Sequence, residues 1–149
     1  MDFPLLEITD AALAEHWLLK YFHPTGLRCP RCAASVEQAR RFRQTRRSHV
    51  TTYRCRQCDQ LYSVYTGTLF AHKHWRPAQV ILLLRGICKG ESTASLAREL
   101  ELAYDTVHHW RQQIQKKAQQ QQPETPLADT VTETDELFQN AGEKRRKTH

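Results

Sequence analysis

Apolar residues recur at helical spacing near the N-terminus, in residues 11–19, so that one face of a helix could pack against a core. Thr9 and Asp10 precede this stretch, and either side chain is suited to capping a helix N-terminus. Residues 23–26 then contain proline and glycine, which end helices. The pattern predicts an N-terminal helix followed by a turn.

A second apolar stretch, residues 80–84, predicts another helix. Pro77 is well placed to begin it, because proline is favoured in the first helical turn, and Gly90 can close it. Cys88 lies in the same apolar region, and we expect it to be a buried free thiol. The stretch is too short to cross a bilayer, so we expect no membrane association.

Residues 92–114 have the apolar spacing of two helices joined by a turn. This spacing is typical of a helix-turn-helix, in which the second helix enters the major groove of DNA, but a plain helical hairpin has the same periodicity. The basic charge of the chain favours DNA recognition. The inward positions are Leu96, Ala97, Leu100, Leu102, Val107, Trp110 and Ile114. The outward positions, expected to contact DNA, are Tyr104, Asp105, His108, His109, Arg111 and Gln112.

Four cysteines form two Cys-x-x-Cys pairs, Cys29 with Cys32 and Cys55 with Cys58, separated by 22 residues. Each pair fits a short turn in which two sulfurs reach one metal ion, and four thiolates bind Zn²⁺ tetrahedrally. The spacing therefore predicts one structural zinc site. Because the set of four ligands is complete, His108 and His109 of the last predicted helix are not expected to bind metal.

Strand-like runs flank the second cysteine pair, in residues 50–54 and 61–65, and a metal-binding turn between two strands is the arrangement of a zinc ribbon. Two disulfides are a weaker interpretation, because the N-terminus lacks the basic start and long apolar stretch of a secretory signal. We therefore expect a cytoplasmic chain with reduced thiols. A thioredoxin-like redox site is also weaker, since it needs one pair beside a βαβ pattern.

Positive charge is concentrated between the cysteine pairs. The net charge is +6, and residues 28–56 contain nine arginines against a single acid, Glu37. Arginines on a loop held by zinc could contact phosphates, and such binding weakens as salt rises. The alternative is a solubilising loop without a partner. The arginines expected to contact DNA are Arg40, Arg41, Arg43, Arg46 and Arg47.

The C-terminal part begins with a proline-containing break at residues 123–126, within an expected linker. Residues 128–134 then predict a strand that delivers Asp135 and Glu136. Only 14 residues follow Asp135, which is too few to complete an α/β domain. Without further information the two acids are an ordinary solvated pair.

In this order, the parts resemble the N-terminal half of bacterial insertion-sequence transposases of the zinc-ribbon type. The resemblance covers nearly the whole chain. It implies that the ribbon and the helix-turn-helix bind the ends of a mobile element, while an RNase H-like domain cuts and joins DNA. Synapsis of two ends would further imply a homodimer. A Thr-Gly-Thr-hydrophobic-Phe signature of that family is matched by Thr66, Gly67, Thr68, Leu69 and Phe70.

By the same resemblance, Asp135 matches the first acidic residue of the catalytic triad. Two Mg²⁺ ions at such a site need carboxylates from several strands, and strand alternation would turn Glu136 to the opposite face. We therefore expect the chain to be catalytically incomplete alone, with Mg²⁺ bound only in a complete catalytic domain. The chain also departs from the family at Glu101, where glycine is usual in the turn.

The sequence thus predicts an α+β protein built from small modules, and three functions remain open. The leading one is the DNA-binding N-terminal region of an insertion-sequence transposase. The second is a stand-alone zinc-ribbon and helix-turn-helix transcriptional regulator, or a repressor of transposition. The third is a structural zinc-ribbon protein that binds RNA or a protein. The expected segments are an N-terminal helix (1–26), a zinc ribbon (27–66), a helix-turn-helix region (67–117), a linker (118–128) and the start of the RNase H-like domain (129–149).

Overall fold

The computed structural model describes Phe3 and residues 8–122. Over this part of the chain it has four α-helices, one short 3₁₀ helix at Val36–Gln38 and a three-stranded antiparallel sheet, which confirms the α+β class. The predicted C-terminal strand and Asp135 lie outside the described residues. The helices are α1 (Ala11–Phe22), α2 (Pro77–Cys88), α3 (Thr93–Glu99) and α4 (Tyr104–Gln121), and the strands are β1 (Ala39–Gln44), β2 (Thr51–Cys55) and β3 (Leu61–Ser63).

Helix α1 begins where the sequence predicts it. The carboxylate of Asp10 accepts hydrogen bonds from the backbone N–H groups of Ala12 and Leu13, at 2.7 and 3.1 Å. These bonds satisfy two of the donors that a helix N-terminus leaves free, so Asp10 rather than Thr9 is the cap. Ala14 and Leu18, one helical turn apart, are completely buried and fix which face of α1 meets the core.

Strand β1 corrects the expectation of an arginine-rich loop between the cysteine pairs. It pairs antiparallel with β2, with Arg40 opposite Arg54 and Arg41 opposite Tyr53. Its side chains do not alternate between buried and exposed, because β1 is an edge strand and only Ala39 is even partly buried. Hydrogen bonding to β2 defines this strand, and a hydrophobic pattern could not predict it.

Strand β3 is shorter than the predicted run of residues 61–65 and ends at Ser63. Val64 and Tyr65 continue into a turn, and both are buried among the helices. The hydroxyl of Tyr65 donates to the backbone carbonyl of Trp75 at 2.9 Å. The apolar residues at the end of this run therefore belong to the helical core, and they join the sheet to it.

One hydrophobic core unites all four helices with the segment that leaves the sheet. Phe70 from that segment stacks face to face on Trp110 of α4, with 4.9 Å between the ring centroids. Trp75 packs edge-on against both rings, at 6.0 and 5.3 Å. Such aromatic contacts add about 0.5–1.5 kcal/mol each beyond burial of area. This cluster fixes α4 relative to the end of the sheet.

Helices α2 and α3 approach closely at Gly86. A Cβ atom there would lie only 2.1 Å from Cδ2 of Leu96, so no larger residue fits without movement. Helix α2 then closes at Gly90, whose φ of +73° suits glycine. The N–H groups of Gly90 and Glu91 donate to the carbonyls of Ile87 and Gly86, which satisfies the helix end as predicted.

Cys88 is exposed, so the prediction of a buried thiol is wrong. It lies about two helical turns after Ile81, which is fully buried, and on the same side of α2. By that point α2 has reached its end, near Tyr21 of α1, which is itself 40% exposed. Helical periodicity predicts a buried side correctly but not where the packing partner ends.

Helices α3 and α4 form the predicted pair, joined by residues 100–103. Helix α4 continues to Gln121, into residues assigned to the linker 118–128, because glutamine, lysine and alanine are good helix formers. No helix in residues 8–122 is both long enough and apolar enough to cross a membrane. The predicted inward residues are buried at Leu96, Ala97, Leu100 and Val107 and partly buried against the core at Leu102, Trp110 and Ile114.

The turn between α3 and α4 places Glu101 at a φ of +54°, a left-handed conformation that disfavours residues with a Cβ atom. The substitution Glu101→Gly should raise the free energy of unfolding by about 1 kcal/mol. Urea unfolding followed by circular dichroism would measure the change. Glu101→Ala is the control, since alanine removes the charge and keeps the strain. An equal gain from alanine would mean that the backbone conformation is not the cause.

Candidate metal centre and basic surface

The sulfur atoms of Cys29, Cys32, Cys55 and Cys58 all lie within 4.8 Å of one another. Sγ of Cys29 is 3.4 Å from Sγ of Cys58, and Sγ of Cys32 is 3.5 Å from Sγ of Cys55. Zinc–sulfur bonds of about 2.3 Å would place the sulfurs of a tetrahedral site about 3.8 Å apart. The four thiols are unbridged, and their spacing fits a structural metal ion such as zinc.

The turn that carries the first pair is built by backbone hydrogen bonds. The N–H of Ala33 donates to the carbonyl of Cys29 at 2.9 Å, and the N–H of Cys29 donates to the carbonyl of Ala34, also at 2.9 Å. Ala33 has a φ of +59°, which reverses the chain tightly. This geometry brings the thiol of Cys32 back beside that of Cys29.

The second pair repeats the same turn. The N–H of Asp59 donates to the carbonyl of Cys55 at 3.1 Å, and the N–H of Cys55 donates to the carbonyl of Gln60 at 3.0 Å. Asp59 also has a φ of +59°. Its carboxylate forms an ion pair with Arg54, in which Nε of Arg54 donates to Oδ1 of Asp59 at 2.8 Å. Two equivalent turns from distant parts of the chain therefore present their thiols to one point.

Backbone amides favour thiolates in this cluster, while the sulfurs compete for protons. Burial raises the pKa of Cys29, but hydrogen bonds from the N–H groups of Cys32 and Arg31 and from the thiols of Cys58 and Cys32 together outweigh burial and lower the pKa to about 6. For Cys58 the N–H of Gln60 lowers the pKa, yet burial and the three other sulfurs outweigh it and raise it to about 12. A metal ion would remove this competition by holding all four groups as thiolates.

The four cysteines lie partly within a small hydrophobic cluster. Cys29 and Cys55 are 3% and 1% exposed, whereas Cys32 is exposed and Cys58 is half-buried. The site is therefore shielded on one side and open on the other. The buried residues of this cluster are Leu27, Cys29, Ala34, Cys55 and Tyr62.

The five arginines predicted to contact DNA are all exposed. Three lie on β1 and two lie in the turn that follows it, so they form one continuous segment of the sheet edge. None of the five forms an ion pair with another described residue, whereas Arg54 is paired with Asp59. We call this segment the basic edge, and its arginines are Arg40, Arg41, Arg43, Arg46 and Arg47.

A row of polar side chains follows the outer face of α4. The rings of Tyr104 and His108 stack with 5.9 Å between centroids, and His108 is hydrogen-bonded to the side chain of Gln112 at 3.1 Å. Asp105 and His109 are also exposed, as predicted. The opposite face of the same helix carries the residues that pack on the core. Helix α4 therefore divides into a packed face and a polar face.

Arg111 was predicted to point outward, and the structure corrects this prediction. It is half-buried, and its guanidinium donates to the backbone carbonyl of Glu91, just beyond the end of α2. The side-chain carboxylate of Glu91 in turn forms an ion pair with Arg85, with 3.5 Å between Oε1 and Nη1. Arg111 follows Val107 by four residues, which places it on the packed face of α4. That spacing is the signal that the sequence prediction overlooked.

A cleft of about 510 Å³ beside α4 was not predicted from the sequence. Its polar lining includes Lys73 and His74 from the segment before α2, and His109 and Gln113 from α4. The run His72, Lys73 and His74 was the available signal. The cleft extends the polar face of α4 toward the end of the sheet.

The structure brings the four cysteines together, exposes the basic edge and leaves one face of α4 polar. The cysteine cluster, the basic edge and the polar face of α4 are the three features that bear on function. Asp135, predicted as a catalytic residue, lies outside the described residues. Comparison with known proteins finds no family model that matches the chain, and no curated protein or solved structure matches it.

Proposed function

We propose that this chain binds duplex DNA through a helix-turn-helix formed by α3 and α4 and through the basic edge of a zinc ribbon. The observation that carries the proposal is the division of α4 into two faces. Val107 is fully buried on one face, while Tyr104 is 52% exposed on the other. A recognition helix needs this division, because its packed face sets the docking angle and its free face meets the bases.

Zinc is the metal that the ligand set favours. Four thiolates are soft ligands, and a tetrahedral site with four protein ligands has no open position for a substrate. Such a site is structural rather than catalytic. The hydrophobic cluster around it contains five buried residues, two of which are the ligands Cys29 and Cys55, so metal binding would supply much of the stability of the ribbon.

The basic edge supports phosphate contacts. Its arginines are exposed and form no ion pairs within the described residues. Arg41 lies near Glu15, and the other four have charges available to a polyanion. Phosphate contacts would position the protein, and the polar row on α4 would select the sequence. In that row Gln112 matches adenine chemically, since an amide side chain can pair with both N6 and N7.

The resemblance to zinc-ribbon insertion-sequence transposases suggests that the bound DNA is the end of a mobile element. The residues that match the family signature have structural roles consistent with it. Gly67 has a φ of +78°, the hydroxyl of Thr68 donates to the carbonyl of Tyr65 at 2.8 Å, and Phe70 stacks on Trp110. The signature thus joins the ribbon to the helices.

DNA cleavage would require a complete RNase H-like domain with Mg²⁺ and further acidic residues beside Asp135. For this chain we propose binding of element ends. Binding of two ends together would need a homodimer. A stand-alone transcriptional regulator or a transposition repressor would use the same surfaces, and the identity of the DNA site separates these functions.

The four cysteines should bind one zinc ion that stabilises the fold. We expect Cys55→Ala to lose the metal and much of the thermal stability, because three ligands and a buried gap remain. Cys88→Ala is the matched control, since Cys88 is exposed and distant from the cluster in sequence. Elemental analysis and thermal unfolding would measure both effects. Unchanged stability after complete chelation would contradict a structural zinc site.

Removing arginines from the basic edge should weaken DNA binding and its salt dependence. Arg46→Ala and Arg47→Ala should each reduce the slope of log K against log salt by about 0.9, because each removes one phosphate contact. Fluorescence anisotropy with labelled duplex would measure the slope. Lys20→Ala, an exposed cation on α1, is the control and should leave the slope unchanged. Equal effects of all three substitutions would argue against a specific basic edge.

Selection of bound duplexes from a random pool should return one defined sequence for the full chain. If the resemblance is correct, that sequence should match inverted repeats that flank the native locus. A match to a promoter instead would favour the regulator.

Gln112→Ala should relax the preference for one base at one position of the selected sequence by about 1–3 kcal/mol. Gln119→Ala, near the end of the same helix, is the control. Selection without any consensus would contradict sequence recognition, and preference for RNA would favour the structural alternative.

A further inference from the structure

Phe42 is an exposed aromatic residue in the middle of β1, with 44% of its surface accessible. A single exposed apolar residue is common, so its surroundings decide whether it has a role. The pairing of β1 with β2 passes from Arg41 opposite Tyr53 directly to Arg43 opposite Thr52. Phe42 therefore has no partner on β2 and occupies a β-bulge.

A bulge changes the direction of a side chain and leaves the extra residue unpaired. Strand β1 is the edge of the sheet formed by the described residues, and the Phe42 side chain is exposed there. The guanidinium carbon of Arg43 lies 5.6 Å from the centre of the ring, within the range of a cation–π contact. This contact orients the ring and leaves much of its surface exposed.

Arginines lie on both faces of β1 around Phe42. The pairing register sets Arg40 opposite Arg54, while Arg41 is opposite Tyr53 and so projects from the other face. On the Arg40 face, Asp59 is already held by Arg54 at 2.8 Å. On the other face Arg41 lies near Glu15, and its charge lowers the pKa of that carboxyl. Arg40 and Arg43 form no ion pair with another described residue, so these two arginines are the ones available beside the ring.

Two kinds of partner could cover an exposed aromatic ring. A protein partner would be favoured by a broad apolar patch, but the residues around Phe42 on β1 are arginines and a glutamine. A nucleic acid offers phosphates for the arginines and stacked bases for the ring. Apolar side chains are known to enter between base steps from the minor groove, where they unstack the bases and bend the duplex.

We propose that Phe42 is a wedge that inserts between two neighbouring base pairs of bound duplex DNA. Arg40 and Arg43 would hold phosphates beside the insertion point, and the unstacked step would bend the duplex. This inference rests on the proposed DNA-binding function and extends it, because it assigns a deforming role to a residue outside the helix-turn-helix. It requires no chemical step.

The test uses the full chain loaded with zinc and the duplex recovered by selection. Donor and acceptor dyes at the two ends would report bending, and 2-aminopurine placed at successive positions would report unstacking. Wild type should bend the duplex and raise the fluorescence at one step. Phe42→Ala should abolish both signals and weaken binding roughly tenfold to a hundredfold, a range taken from losses of base–aromatic contacts.

Two controls separate a wedge from other roles. Phe42→Leu should retain most of the bend, because leucine also acts as a wedge. Leu61→Ala, on β3 of the same sheet and 41% exposed, should change neither signal. Phe42→Ala should leave the salt slope unchanged because it removes no charge. Zinc content and circular dichroism would show that each variant remains folded.

The outcomes distinguish this proposal from the one on which it rests. Full bending and affinity in Phe42→Ala would overturn the wedge and leave DNA binding intact. Tighter, Phe42-dependent binding to single-stranded DNA would also overturn it in favour of stacking on an unpaired base. If zinc-loaded wild type binds no duplex at all, the proposed function fails first, and the wedge fails with it.

Discussion

The convergence of four thiols on one point is the constraint on which the sheet depends. The two turns that carry them come from segments 22 residues apart, and each is closed by the same pair of backbone hydrogen bonds. Once the turns meet, Ala39 lies opposite Cys55, and the arginine-rich segment between them pairs with β2. Few apolar residues support this strand. Its position follows from the cysteine cluster and from backbone hydrogen bonds.

The sheet is joined to the helices by a small number of buried residues. Val50 comes directly before β2 and Val64 directly after β3, and both are buried in the same core as α1 to α4. The stacked rings of Phe70 and Trp110 extend this connection to α4. As a result the basic edge and the polar face of α4 belong to one packed unit. The fold therefore holds these two surfaces in a defined arrangement.

Several polar and charged residues serve the fold rather than a partner. Glu15 of α1 accepts hydrogen bonds from the backbone N–H and the hydroxyl of Thr51, at 2.8 and 3.1 Å, and burial raises its pKa. Arg111 ties α4 to the end of α2 through the carbonyl of Glu91. The charges that make such contacts are engaged within the fold. The exposed arginines of the basic edge form no ion pair with another described residue, although Arg41 lies near Glu15.

Local chemistry made several parts of this protein predictable from its sequence. Cysteine spacing predicted that four thiols meet, Asp10 and Gly90 marked helix ends, and apolar periodicity predicted the packed faces of α3 and α4. Only the folded chain shows that the arginine segment is an edge strand, that Phe42 bulges from it and that Cys88 is exposed. The reason is physical: caps and turns are set by neighbouring residues, whereas strand pairing and burial depend on partners distant in the chain.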